Sequence, residues 1–170
     1  LLLTAVRKTE LLSAQWNEFD LEKAEWSVPA GRMKMREAHW VPLSGRAVEL
    51  LRELRQYSTG DLLFPNVRNL RKSMAGRSLN AFLGRLGYLK QVKPHGFRSM
   101  FSTYFNGAGW NPDVIEKCLA HRHKDVIRAK YNRAEYRKEQ RDAMQHWADM
   151  VEQWSKGADV VPIGVTKQTA

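Results

Sequence analysis

The 170-residue sequence predicts a mainly α-helical domain carrying one small antiparallel β-sheet. Three observations predict it. Over most of the chain apolar residues recur at three- and four-residue spacing, the mark of helices that bury one stripe. Residues 17–43 break this rhythm, placing Phe19, Leu21, Trp26, Val28, Trp40, Val41 and Leu43 in short runs near prolines 29 and 42, as strands do. Length and a hydrophobic content of 43% suit a single domain with a real core. A chain of this size buries roughly 70% of its unfolded surface.

Residues 1–16 read as helix, turn, helix, with Arg7-Lys8-Thr9 at the break and Thr9 as the N-cap. The sheet follows, with a turn near Ala30-Gly31-Arg32. Ser44 caps a helix through Arg55 whose stripe is Val48, Leu51 and Leu54. Residues 56–76 read mostly as loop, anchored by Leu62-Leu63-Phe64-Pro65. A helix over 77–86 points Leu79, Phe82, Leu83 and Leu86 inward. Pro94 opens the next helix, which Gly107 and Gly109 end, and Asn111-Pro112-Asp113 opens another that runs to about Ala120. The final helix spans about 134–155, with Tyr136, Met144, Trp147, Val151 and Trp154 near helical spacing. Residues 157–170 are expected to be loose or to dock on a partner. Leu1-Leu2-Leu3, with no initiator Met, reads as a helix cut through its middle, so the chain is expected to be a piece of a longer protein.

Lys and Arg number 28 against 18 Asp and Glu, a net charge of +10. That imbalance points to a polyanionic partner, most often nucleic acid. The single cysteine, Cys118, excludes an intrachain disulfide and a cysteine-based zinc site, and its apolar neighbours suggest a buried thiol. His121 and His123 are not joined by a carboxylate or cysteine pattern that completes a metal site, so none is expected. No apolar run approaches the roughly 20 residues of a membrane span.

The chemistry concentrates in His95-Gly96-Phe97-Arg98, with Arg7 upstream and His121 and Tyr131 downstream. An arginine fork grips two phosphate oxygens. Histidine donates or moves a proton near neutral pH. Tyrosine serves as a covalent nucleophile. Together they suit a phosphodiester. Three-residue spacing puts His95 and Arg98 on one helix face, with Phe97, Phe101 and Tyr104 forming the opposite, buried stripe. Glu10 lies three residues after Arg7, placed to fix its fork. Lys34 follows the presumed β-turn, where it can contact phosphate or protonate a leaving oxygen, while Arg32 and Arg36 read as backbone-phosphate contacts. Arg122 and Arg133, beside His121 and Tyr131, are further phosphate-contact candidates. Taken singly, each residue also reads as a solvated charge or a packing side chain; their order and spacing carry the argument.

That ordered set, Arg7, Lys34, His95-x-x-Arg98, His121 and Tyr131, resembles the catalytic set of the tyrosine recombinases, the phage-integrase family. The likeness rests on Val6-Arg7-Lys8-Thr9-Glu10-Leu11, Lys93-Pro94-His95-Gly96-Phe97-Arg98, Leu119-Ala120-His121 and Tyr131-Asn132-Arg133. Arg32-Met33-Lys34-Met35 and His146-Trp147-Ala148-Asp149 resemble the subgroup carried by prophages and genomic islands. Ala5-Val6 stands where family members often have glycine, and ten residues separate His121 from Tyr131, slightly more than in many relatives.

The resemblance implies a recombinase catalytic-domain fold over residues 1–156, N-terminally truncated, with a flexible tail at 157–170. It implies attack by Tyr131 on a scissile phosphate, with Arg7 and Arg98 stabilising the transition state and Lys34 as general acid. His95 would assist proton transfer, His121 would hydrogen-bond the phosphate and Glu10 would hold Arg7. No metal or other cofactor is implied. The implied partner is double-stranded DNA, bound by a homotetramer of the full-length protein, in the cytoplasm of a bacterium at the nucleoid. A type IB topoisomerase-like relaxing enzyme and a non-catalytic basic DNA-binding module of the same fold stay open as alternatives.

Overall fold

The computed structural model describes residues 1–33, 36–88, 91–121 and 136–157. Among them lie six α-helices, a three-stranded sheet and a two-stranded ribbon. Leu2–Thr4 forms a 3-10 turn, followed by α1 (Lys8–Leu12) and a second 3-10 turn at Trp16–Glu18. Arg7, not Thr9, is the N-cap of α1: the Glu10 carboxylate at N3 accepts the Arg7 backbone N–H at 2.8 Å, so the cap is carried by the third helical residue.

The sheet has the order β1 (Phe19–Asp20), β2 (Glu25–Val28), β3 (His39–Pro42), all antiparallel. Phe19 faces Trp26 across β1 and β2, and their rings stack at 5.0 Å. Such cross-strand pairs hold register. Trp26 is fully buried, and its indole N–H donates to Glu18 at 2.9 Å, so the large apolar ring leaves no orphan donor. Ala30–Arg32, read from sequence as a simple turn, is a 3-10 turn within a longer connection to β3.

Helix α2 (Gly45–Gln56) begins at Ser44, whose hydroxyl accepts the Ala47 N–H at 3.3 Å. The stretch read as loop contains a ribbon, β4 (Pro65–Asn66) and β5 (Asn69–Ser73). The first four β5 residues are all exposed, so no inside–outside alternation marks the strand in sequence. Helix α3 (Gly76–Arg85) follows, and the expected inward stripe is only half formed: Leu79 and Leu83 are half-buried, whereas Phe82 is 48% and Leu86 53% exposed. It packs against little more than the short α1, too small a surface to cover an apolar face.

Helices α4 (Gly96–Gly107), α5 (Pro112–Cys118) and α6 (Arg137–Ser155) build the second half. Asn111 caps α5 by accepting the Asp113 N–H at 3.0 Å, and Pro112 occupies the first helical position. On α6, Gln140, Ala143, Met144, Trp147 and Ala148 are buried, and the Trp147 indole donates to the Leu2 carbonyl at 2.9 Å. Among the described residues, no helix is long and apolar enough to cross a membrane.

Two hydrophobic clusters result. One joins Trp16, Trp26, Val28 and Val41 to Val48 of α2; the other joins Phe101, Phe105, Ile115 and Met144 to Trp147. Ala5 belongs to the second and its neighbour Val6 to the first. Leu119 and Ala120 divide the same way. The seam between the clusters therefore runs along two chain segments, and the candidate site is built on them.

Candidate active site

Arg7 leaves the seam at the start of α1. Its Nη1 donates to Glu10 Oε1 at 2.9 Å, so one buried carboxylate both caps the helix and holds the guanidinium. Its Nη2 reaches the Ala120 carbonyl at 3.3 Å. The Arg7 side chain is 25% exposed, leaving N–H donors open to solvent.

Arg98 departs from the face assigned by sequence. It is buried, on the same stripe of α4 as Phe101 and Phe105, while His95 at the N-cap stays exposed and Phe97 is only half-buried. Three- and four-residue steps from Arg98 lead to Phe101 and Phe105, so the helix turns the arginine inward with them. Its Nη1 donates to the Ala5 carbonyl at 2.5 Å and its Nη2 to the Leu119 carbonyl at 2.6 Å. The same Nη2 lies 3.1 Å from His121 Nε2. These contacts leave Nε–H and one Nη1 hydrogen uncommitted among the described residues. Burial, with the neighbouring Arg7 charge, lowers the Arg98 pKa to about 10. At neutral pH it remains a cation.

His121 bridges the cluster outward. Its Nδ1 lies 2.9 Å from Glu116 Oε2 while Nε2 faces Arg98. The two neighbours assign the neutral tautomer, with Nδ1–H donating to the carboxylate and Nε2 accepting from the arginine.

Arg7, His95 and Arg98 open onto one cleft of about 460 Å³, which Lys8, Lys93 and Asn80 also line and, among the described residues, no carboxylate does. Several cations with no lining acid form a receptor for an anion. His121 does not line this cleft but touches it through Arg98. A larger groove of about 750 Å³ lies between β4–β5 and α3, and none of the described candidate catalytic residues lines it.

Two backbone features hold the arginines' acceptors. Ala5 and Ala120 both adopt left-handed conformations, with φ of 48° and 49°. Such backbone costs an L-residue about 1–2 kcal/mol. The carbonyls of Ala5, Ala120 and the adjacent Leu119 are those taken by Arg98 and Arg7. Alanine gives no sequence signal for this geometry, because left-handed turns are normally read from glycine or asparagine.

Arg32 does not point to solvent as a phosphate contact. Its guanidinium is ion-paired with Glu18 and donates to Ser13 Oγ at 2.6 Å and the Glu10 carbonyl at 3.1 Å. Buried acceptors nearby outcompete water for the fork. Arg36 is exposed before β3. Lys34, Arg122, Tyr131 and Arg133 lie outside the described residues, as do residues 158–170.

His39 belongs to no sequence motif, yet it sits beside the site. It is buried on β3 near the charges of Glu10, Arg98 and Arg7, and burial lowers its pKa to about 4. Period-two alternation with Val41 marks its inward face. Lys8 and Lys93 also join the cleft without any sequence signal beyond their place beside motif residues.

A family model described as the phage integrase family matches residues 1–138. The prophage integrase IntA of Escherichia coli (strain K12) is 40% identical over 161 residues, covering 94% of this chain and 39% of that protein. The integrase of Enterobacteria phage P4 is 40% identical over 169 residues, covering 89% of this chain and 38% of that protein. The chain thus spans about two-fifths of the length of these relatives. Among solved structures, the integrase from mycobacterium phage Brujita superposes with a TM-score of 0.65 at 16% identity, covering 85% of this chain and 48% of that one. The Tn1549 transposon integrase in complex with a circular intermediate DNA gives 0.63 at 18%, covering 89% and 56%. XerA recombinase gives 0.58 at 20%, covering 94% and 55%. These structures share the fold of this domain. By the extent of the family match and the identity to prophage and phage integrases, this chain belongs to the phage integrase family.

Proposed function

We propose that this chain is the catalytic part of a site-specific DNA recombinase that integrates or excises a prophage or genomic island. The observation that carries the reading is the cleft into which Arg7, His95 and Arg98 all open, lined by no carboxylate among the described residues. Family membership supports it.

In this reading Tyr131 supplies the nucleophile. Its phenolic oxygen attacks the scissile phosphorus, the P–O5′ bond breaks, and a 3′-phosphotyrosyl link forms. Lys34 gives the departing O5′ its proton, and His95 assists removal of the proton from the phenol. Arg7 and Arg98 face the non-bridging oxygens, where each transition-state donor is worth about 3–4 kcal/mol. His121, whose two ring nitrogens are taken by Glu116 and Arg98, orients Arg98 toward the phosphate. The partner strand's 5′-hydroxyl then attacks the phosphotyrosine, restoring the phosphodiester and releasing Tyr131. Bond energy is conserved in the covalent link, so the reaction consumes no nucleotide. The substrate is double-stranded DNA, and the full-length protein acts as a homotetramer that brings two duplexes together.

The test is covalent capture on a library of nicked duplexes, in which loss of a short 5′-hydroxyl fragment traps the adduct. Denaturing gels of the wild-type chain are expected to show a DNA-shifted band that Tyr131→Phe lacks while still binding duplex. An equal band from Tyr131→Phe would exclude Tyr131 as nucleophile.

A further inference from the structure

Residues 62–112 contain eight Lys or Arg and no Asp or Glu. The rest of the chain carries 20 and 18, so eight of the ten net positive charges originate in this one segment. The segment begins with the β4–β5 ribbon and includes α3 and His95–Arg98. The ribbon lies across the α1–α3 pair from the candidate site: α1 and α3 both line the cleft of Arg7 and Arg98 on one side and the groove edged by Pro65–Arg68 on the other.

The ribbon is unusual as a structural element. Asn66 pairs with Asn69, leaving Val67 and Arg68 as a two-residue tip. Asn66 Oδ1 accepts the Arg68 N–H at 2.9 Å and Asn69 Oδ1 accepts the Arg71 N–H at 3.1 Å, so local side chains fix the turn. Neither face is packed: Val67 is 93% and Leu70 60% exposed. A two-stranded ribbon without a core is marginal by itself. Successive strand residues point to opposite faces, so Arg71 and Lys72 emerge on the two sides and Arg68 on the tip. Among the described residues, no carboxylate pairs with any of the three.

We infer that β4–β5 is a second DNA-contacting element, a ribbon that enters a groove of the duplex and holds phosphates on both of its walls through Arg68, Arg71 and Lys72. A DNA groove admits a two-stranded ribbon and presents anions on either side of it. Cations on both faces and the tip fit that geometry, whereas an acidic protein surface would engage one face. Asn66 and Asn69 spend their carbonyl oxygens on backbone N–H groups, and the three cations are placed for phosphates, so the ribbon positions the duplex and leaves sequence readout to other elements. The inference rests on the proposed DNA substrate.

The experiment measures binding of this chain to a random-sequence duplex against salt concentration. Each phosphate that is no longer neutralised lowers the log–log slope by about 0.9. Arg68→Gln/Arg71→Gln/Lys72→Gln is expected to lower it by about 2–3 and to weaken binding at least about tenfold near 100 mM salt. Arg46→Gln/Arg52→Gln/Lys156→Gln removes the same charge from residues already paired with Glu49, Glu22 and Glu152, and is expected to leave the slope within about 0.5 of the parent. Should the triple change disturb the ribbon, single Arg68→Gln at its tip reads the same effect at about one-third size. Equal losses in both triple variants, or an unchanged slope in the ribbon variants, overturn the inference. If the slope is unchanged but the Tyr131 adduct still forms, only the ribbon fails. If the parent chain binds no duplex, the proposed function fails with it.

Discussion

Replacing Arg98 with lysine separates two jobs that the guanidinium performs. Its fork ties two carbonyls, Ala5 and Leu119, that are 93 and 21 residues away in sequence, and it also meets His121 Nε2. A lysine ammonium is a single point donor and can replace one of these carbonyl contacts at most. One carbonyl is then left without its donor beside the seam, while the imidazole, 42% exposed, can turn to water instead. A buried acceptor left unmet costs about 1–3 kcal/mol. The expected loss is therefore about 1–3 kcal/mol, on a domain whose whole stability is about 5–15 kcal/mol. For a chain of this length that lowers Tm by about 3–10 °C. Urea melts followed by tryptophan fluorescence measure it, with the slope m compared so that only a shifted midpoint counts as reduced stability. Arg7→Lys is the internal contrast: Arg7 is partly exposed and its Ala120 contact is 3.3 Å, so a smaller loss is expected. If Arg98→Lys melts within about 0.5 kcal/mol of the parent, as an exposed surface substitution would, the tie carries no structural weight and the two carbonyls do not depend on the fork.

Two further predictions concern buried groups outside the cleft. His39 is held neutral, with a pKa of about 4 in the fold against about 6.5 unfolded, by burial and the Arg98 and Arg7 charges, opposed by Glu10. Its stability contribution is present above pH 6.5 and is lost as pH falls toward 4, at up to about 1.4 kcal/mol per pH unit; a His39→Gln variant melts with a flatter pH profile over that window, and an unchanged profile counts against the assignment. Burial pushes the Cys118 thiol up to about 12, so an aromatic disulfide reagent at pH 8 leaves the native chain untouched and titrates one thiol after denaturation, whereas rapid native reaction would place Cys118 at the surface.

The parts legible in sequence are those where local chemistry and tertiary packing agree. Ser44 and Asn111 announce their helices because each cap is satisfied within three residues. Trp147 and Met144 mark the buried side of α6 because a long helix repeats its stripe. The misses share a cause, which is that long-range packing decided them. Arg98 turns inward because two carbonyls from distant segments await it, and Arg32 because Glu18 and Ser13 do. The β4–β5 ribbon escapes because a strand with two open faces has no alternation to read. The ordered motif points to Arg7, His95 and Arg98, which share the cleft, but not to the face of α4 that bears the arginine.

Two core clusters that meet at one seam predict that the domain opens along it as two units, with the site at the junction. Arg7 follows Val6, which packs in the sheet cluster, while Arg98 shares the helical cluster with Phe101. An anion gripped by both guanidiniums binds only when the two units are closed. Occupancy then acts as a latch, adding about 2.7 kcal/mol against separation at a ligand concentration one hundred times Kd. Native-state hydrogen exchange should record this as slower exchange of the Ala120 and His121 amides, which close α5 onto the seam, when the cleft is filled. A duplex held there would clamp the two halves of the domain to each other as well as to itself.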